Sequence, residues 1–422
     1  MSQSTLEVGF RVKPLPLVLR APSWLSELLG IKSPVLTPEN ITRSAAKAAG
    51  LPGNFPAHAE EALEQLCRSY RDDANLHWFG RMNQWNLIVT GLTMLLKVEQ
   101  AFRDNPELEN TELIPPLIVT GLPRSGTTFT HRLLSCPEDA KPLTLMEHIH
   151  PIWEGREWSR RVDVEMKFLP WLWAANPYKM DAIHFVRPNL ADECNFGMRP
   201  TARSMIYWAT ASTYGYLRWL LAQDLRESYQ FYRKILLLHQ AKHPGKRLTL
   251  KCPHHLAWLP ALKEALPEAL VVQTHRDPLS AVPSECKLVL SLQSISTHNI
   301  DWRETVKHNR QKVETFAHRA VEFHQQDDEG YIHHVDYGKV VKDPLGLARE
   351  IRTHFGLEFT EEQAARTKTF IENNRQHKHG KNVYSREQFE LEENALKEDF
   401  LGYRERFILD GVPAPSQRRL TS

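Results

Sequence analysis

Four short strand candidates with apolar cores interrupt a mostly polar chain: Leu117 to Val119, Arg247 to Lys251, Leu270 to Thr274 and Tyr331 to Val335. Each is too brief for a helix and is bounded by Pro, Gly or charged residues, as expected of strands covered on both faces. Elsewhere the apolar positions recur at helical spacing. Thr37-Pro38-Glu39-Asn40 has the form of a helix start, with Gly50 as its stop. Ala59, Leu63, Leu66 and Tyr70 fall on one helical face within residues 57–71, and residues 85–102 are apolar on more than one face. A second long helix is predicted over about 217–243. Asp277 caps a helix that starts at Pro278, and Asp343-Pro344 opens another that Gly356 closes. Strands alternating with helices predict an α/β fold, a parallel sheet flanked by helices. It occupies residues 111–422, after a helical N-terminal extension over 1–110 that packs on it. The breaker-rich stretch Asn105 to Pro116 links the two. Residues 359–422 read as a helical tail.

The first strand run continues into Gly121-Leu-Pro-Arg124-Ser125-Gly126-Thr127-Thr128, and a helical pattern follows. Strand, glycine loop and helix together make an anion-binding unit. Glycines let backbone N–H groups approach, and the helix N-terminus adds partial positive charge. A triphosphate loop carries Lys then Ser/Thr after its second glycine. Here Thr127 holds the Lys position and Arg124 is the loop's cation. Two hydroxyls, N–H groups and one guanidinium suit a single phosphate or phosphosulfate without a metal. A second cation, Arg276, ends the Leu270–Thr274 run, and Ser284 follows eight residues later on the next helix. Both are placed to grip a dianion at the carboxyl ends of the strands. Pro283 precedes Ser284 and is expected to kink that helix.

Pro123-Arg-Ser-Gly-Thr-Thr128 followed by the Arg276 and Ser284 pair resembles the sulfotransferase family, whose donor is 3′-phosphoadenosine 5′-phosphosulfate (PAPS). The likeness is closest to the bacterial and tyrosylprotein-type branch, and it implies a P-loop-like fold. It also implies that Arg124, Ser125, Gly126, Thr127 and Thr128 take the 5′-phosphosulfate. Arg276 and Ser284 would then take the 3′-phosphate, with Lys378 and Lys381 of the late basic segment 376–384 closing over it. Lys251, ahead of Pro253, resembles the Lys that faces the transferring sulfuryl group. Glu147 resembles the general base, with His148 and His150 as rivals and Asp192 with Glu193 as a second acidic candidate.

Composition narrows the picture further. The 41% hydrophobic and 25% charged fractions are those of a globular enzyme, and the net charge of +2 gives no bulk attraction for nucleic acid. No nucleic-acid partner is expected. The five cysteines are scattered, which fits reduced thiols and a cytoplasmic location, and neither a leader nor a membrane span is expected. No Cys-x-x-Cys occurs, and no metal site is expected. Trp153, Trp158, Trp171, Trp173, Trp208 and Trp219 fall in an insertion over about 150–245. They suit either a helical core layer or the wall of a pocket for a small acceptor with an apolar or aromatic part. A nucleotide kinase and a scaffold without turnover are the alternatives. The first would need the missing loop Lys, and the second would not need intact Arg124, Lys251 and Arg276.

Overall fold

The structure, a computed structural model, describes residues 9–152, 156–326, 330–375 and 378–412. Trp153, Gln376 and His377 lie outside them, and the Trp158 side chain is likewise not described. Five parallel strands form one sheet: β1 (Leu117–Gly121), β2 (Ala140–Pro142), β3 (Arg247–Lys251), β4 (Leu270–His275) and β5 (Ile332–Asp336). Their order is β2-β3-β1-β4-β5. Leu117 on β1 stands opposite both Thr249 on β3 and Leu270 on β4, so β1 is central. From β1 the chain leaves to one side and returns to the other. Loops therefore diverge at the carboxyl end of β1, which opens a crevice there.

The two-residue period of the strands divides the core. Leu117, Val119, Leu270 and Val272 bury against the helices Thr127–Leu134 and Pro344–His354. Ile118, Val271 and Leu250 point the other way, toward the helices Arg226–Lys242 and Trp302–Gln326. Four of the strands coincide with the apolar runs. β2 does not, because it is a half-buried edge strand of three residues ending in Pro142, and an edge tolerates a residue that donates no ladder hydrogen bond.

The N-terminal helices Pro38–Ala49, Ala57–Asp72 and Trp78–Asp104 follow the predicted pattern, with Gly50 left-handed at φ 68 as the stop. The helix expected over 217–243 is two, Tyr214–Leu221 and Arg226–Lys242. The Asp224 carboxylate accepts the Arg226 N–H at 2.9 Å and so starts the second. The helix Pro278–Gln293 continues through Pro283. Among the described residues no helix is long and apolar enough to cross a membrane.

Candidate active site

The β1 loop is held in a strained shape. Gly121 and Gly126 have φ of 147 and 87, and between them Arg124 is left-handed at φ 69. A Cβ at Gly121 would stand 2.4 Å from the Thr274 carbonyl, so only glycine lets the loop leave the strand here. A left-handed non-glycine residue costs about 1–2 kcal/mol. Contacts to the rest of the fold hold it in place. Arg276 Nη1 donates to the Arg124 carbonyl at 2.8 Å, while Arg124 donates to Ser284 Oγ at 3.1 Å and to the Ile183 carbonyl at 2.7 Å.

Two guanidiniums from different strand ends therefore meet at one place. Arg276 also lies over the Tyr337 ring at 4.7 Å and reaches the Tyr384 hydroxyl at 3.4 Å. Asp277, its neighbour in sequence, accepts from Leu279 N–H and pairs with Arg404 instead. That leaves Arg276 to the cleft.

This meeting point is the wall of a cavity of about 620 Å³. Arg124, Gly126, Thr127, Thr128, Arg276 and Ser284 all line it, and so does Lys378 of the late basic segment. Ser125 is different. Its hydroxyl turns inward, donating to the Leu122 carbonyl at 2.6 Å and lying 2.8 Å from Thr274 Oγ1. It fastens the loop to β4 and does not face the cleft. Lys381 is exposed and is not part of the cavity wall, whereas its neighbours Gly380 and Asn382 are. Both polar atoms of the Asn382 amide are buried without a partner. His379, also in the wall, stacks on Phe185 at 3.9 Å and 7°.

Glu147 is not brought to this cavity, and its expected place needs correction. Thr144-x-x-Glu147 is a capping box on the short helix Leu145–Ile149. One carboxylate oxygen takes the Thr144 N–H at 2.8 Å, and the other takes Lys141 Nζ at 2.6 Å. Burial pushes this carboxyl up, but Lys141 and Thr144 outweigh it and hold the group below its usual range. Its resemblance to a base rested on distance from the loop along the chain, which the capping role satisfies equally well. Glu147→Gln keeps the box and loses only the Lys141 charge. Its expected outcome is a loss of about 0–1 kcal/mol in urea unfolding, with kcat within about twofold of the parent. His148 and His150 are also buried off the cleft. Burial depresses the His148 ring to about 3, and His150 pairs with Glu165 at 2.9 Å.

The carboxylates in the cavity wall near β3 are Asp192 and Glu193. Lys251, at the end of β3, is fully buried and pairs with Glu193 Oε1 at 2.7 Å. Lys251 itself does not line the cavity. It stands behind Glu193. Burial would raise the Glu193 carboxyl, but the Lys251 ammonium, with His254 and His184 nearby, brings it down to about 2. Asp192 lacks such a partner, and burial pushes it up to about 6. Two adjacent carboxyls are thus driven apart, the pattern of an acid–base site. Glu193, Cys252 and His254 put ligand atoms within 4.8 Å of one another, the one such group among the described residues. The Lys251 ammonium already occupies the Glu193 carboxylate there.

Sequence reading passed over Tyr337, His184 and the buried pair Lys312–Glu285, at 2.7 Å, all of which border the cavity. They lie on four separate elements, and no local motif joins them. Of the insertion tryptophans, Trp173 and Trp208 line the cavity, while Trp171 is exposed and Trp219 packs at a tilt against Tyr216.

Residues 115–361 match the model of a family described as the sulfotransferase family. No curated protein matches the chain. Among solved structures it is similar to the sulfotransferase STF1 of Mycobacterium tuberculosis H37Rv. That match has 28% identity and a TM-score of 0.75, and covers 88% of this chain and 100% of the other. It shares its fold with the sulfotransferase STF9 of Mycobacterium avium, at 24% identity and a TM-score of 0.79 over 90% and 99% of the two chains.

Proposed function

The chain belongs to the sulfotransferase family, and we propose that its donor is PAPS, that its acceptor is a hydroxyl on a small molecule, and that Glu193 is the general base. The observation that carries the reading is the convergence of Arg124 and Arg276 on one cleft, joined at 2.8 Å through the loop carbonyl. A nucleotide phosphorylated at both ends of its ribose needs two such cationic stations side by side. Thr127, Thr128 and Arg124 would hold the 5′-phosphosulfate, and Arg276 with Ser284 the 3′-phosphate. Lys378 would add charge over the same end. The orphaned Asn382 amide is a buried donor and acceptor in search of a ligand, which fits a base or ribose held under the late segment.

In the resting protein Lys251 and Glu193 neutralise each other. Lys251 turns toward the phosphosulfate oxygens as they enter, and Glu193 loses the charge that depresses it. Burial and the adjacent Asp192 then raise its basicity. The acceptor oxygen bonds to sulfur as the bond from sulfur to the 5′-phosphate oxygen breaks, and the acceptor proton passes to Glu193. Lys251 and Arg124 stabilise the charge that builds on the leaving phosphate. No metal ion is needed. None of the five cysteines is joined in a disulfide, which fits a cytoplasmic setting.

Labelled-sulfate transfer from PAPS to a panel of phenols, alcohols and amines tests the reading, together with adenosine 3′,5′-bisphosphate binding measured against ATP–Mg²⁺. Glu193→Gln is expected to keep bisphosphate affinity within about threefold and to lower kcat by about 10²–10⁴. If Asp192→Asn has that effect and Glu193→Gln does not, the base is Asp192.

A further inference from the structure

Besides the residues assigned to the two phosphate stations, the cavity wall carries an apolar set: Leu145, Ile149, Phe168, Leu169 and Leu172. Glu165 and Arg199 stand in the same wall. Arg199 lines the cavity with only 3% of its surface exposed. Its Nε is buried with no partner, and the guanidinium makes a single long hydrogen bond, 3.4 Å to the Ile149 carbonyl. No carboxylate oxygen among the described residues comes within ion-pair distance of it, and Glu165 acts on it only through space. Glu165, in the same wall, directs its oxygens to His150 at 2.9 Å and Arg161 at 3.3 Å. Two guanidiniums, Arg161 and Arg199, thus share one carboxylate.

The placement of Arg199 is built into the fold. A Cβ at Gly91, on the long helix Trp78–Asp104, would come within 3.2 Å of Arg199 Cγ, so the helix gives up a side chain to let the arginine stem pass. Tyr207 donates its hydroxyl to the Arg199 carbonyl at 3.1 Å and anchors the backbone. A second donor in the same wall, Trp208 Nε1, is also buried without an acceptor. A buried cation that must share its nearest carboxylate with a second guanidinium is under-compensated, and is retained at least cost where a ligand supplies a further anion.

We infer that Arg199 is a specificity-determining residue that receives an oxyanion of the acceptor, and that the acceptor is an amphiphile: an aliphatic or ring body with a hydroxyl at one end and a carboxylate at the other. This rests on the sulfuryl-transfer reading for what happens at the hydroxyl. It does not rest on that reading for what Arg199 binds. The apolar wall takes the body, Glu193 faces the hydroxyl, and Arg199 stands where the body ends. A diol of equal length fills the same space and leaves the guanidinium unpaired.

The test compares dodecanoate with 1-dodecanol by calorimetry on protein saturated with adenosine 3′,5′-bisphosphate, then 12-hydroxydodecanoate with 1,12-dodecanediol as acceptors. Charge-assisted hydrogen bonding predicts that the parent protein prefers dodecanoate by about 10- to 100-fold, and that the preference appears in KM for the hydroxy acid with little change in kcat. Arg199→Gln should erase the preference, and Arg199→Lys should restore part of it. Equal affinity of the parent protein for the two ligands overturns the inference without any variant, and so does a preference that survives Arg199→Gln. A Gln variant that fails to show the melting shift given by the bisphosphate is read through the Lys variant alone, where loss of partial preference counts against the proposal. Dodecanoate binding that depends on Arg199, in a protein that transfers no sulfuryl group, would refute the transfer reading and leave the subsite standing.

Discussion

Lys251→Met is expected to lower kcat by about 10²–10³ and to destabilise the fold by about 3–5 kcal/mol, whereas Lys251→Met combined with Glu193→Gln recovers most of the stability and none of the activity. The ion pair is fully buried on the lysine side, with Nζ 2.7 Å from the carboxylate. Removing one partner leaves the other charge largely buried and unpaired, and breaking buried pairs costs on that scale. Removing both leaves a neutral amide and a thioether of similar volume, which the pocket accommodates at little cost. Catalysis follows a different rule. Loss of one donor aimed at developing charge costs about 2.7–4 kcal/mol of barrier, and the second substitution supplies nothing in return. Urea denaturation of the four members of the cycle, with single-turnover rates, separates the two effects. A double variant as unstable as Lys251→Met would show that the two residues do not act as a pair. A double variant with restored turnover would remove Lys251 from the chemistry.

The second large effect is on donor selectivity. Arg276→Ala is expected to weaken adenosine 3′,5′-bisphosphate by about 10- to 150-fold, because a hydrogen-bonded charge contact contributes about 1.5–3 kcal/mol. 5′-AMP lacks the 3′-phosphate and should lose about threefold or less. The small loss arises because Arg276 also holds the left-handed Arg124 carbonyl at 2.8 Å, so the 5′ loop slackens when it is removed. Calorimetric titration of both nucleotides checks this. Equal losses for the two would mean that Arg276 acts only as a brace for the loop and that the 3′-phosphate binds elsewhere.

Much of the sheet was legible because its strands are buried on both faces and read as unbroken apolar runs. β2 was invisible for the opposite reason, a short edge strand with Pro142 and half-exposed side chains. Glu147 shows how a position can mislead. A Glu three residues after Thr144 is a helix-capping signal in its own right, and the capping box claimed the side chain. Glu193 lies 58 residues from Lys251, and no spacing rule connects them. Ser125 belongs to a recognisable loop motif, yet its hydroxyl faces β4, because the left-handed turn at Arg124 rotates it inward.

Local chemistry in the chain alone determined the glycine loop between a strand and a helix, the cation Arg124 within it, the cation Arg276 after the next strand and the absence of a triphosphate lysine, since each follows from which residues adjoin a strand or a helix start. Only the tertiary structure decided which carboxylate meets Lys251, which basic residues of the late segment border the cleft, and that Arg199 lies buried in the cavity wall with no carboxylate of its own. Those depend on crossings between distant elements, where burial and the positions of charges are set together by packing that no short stretch of sequence encodes.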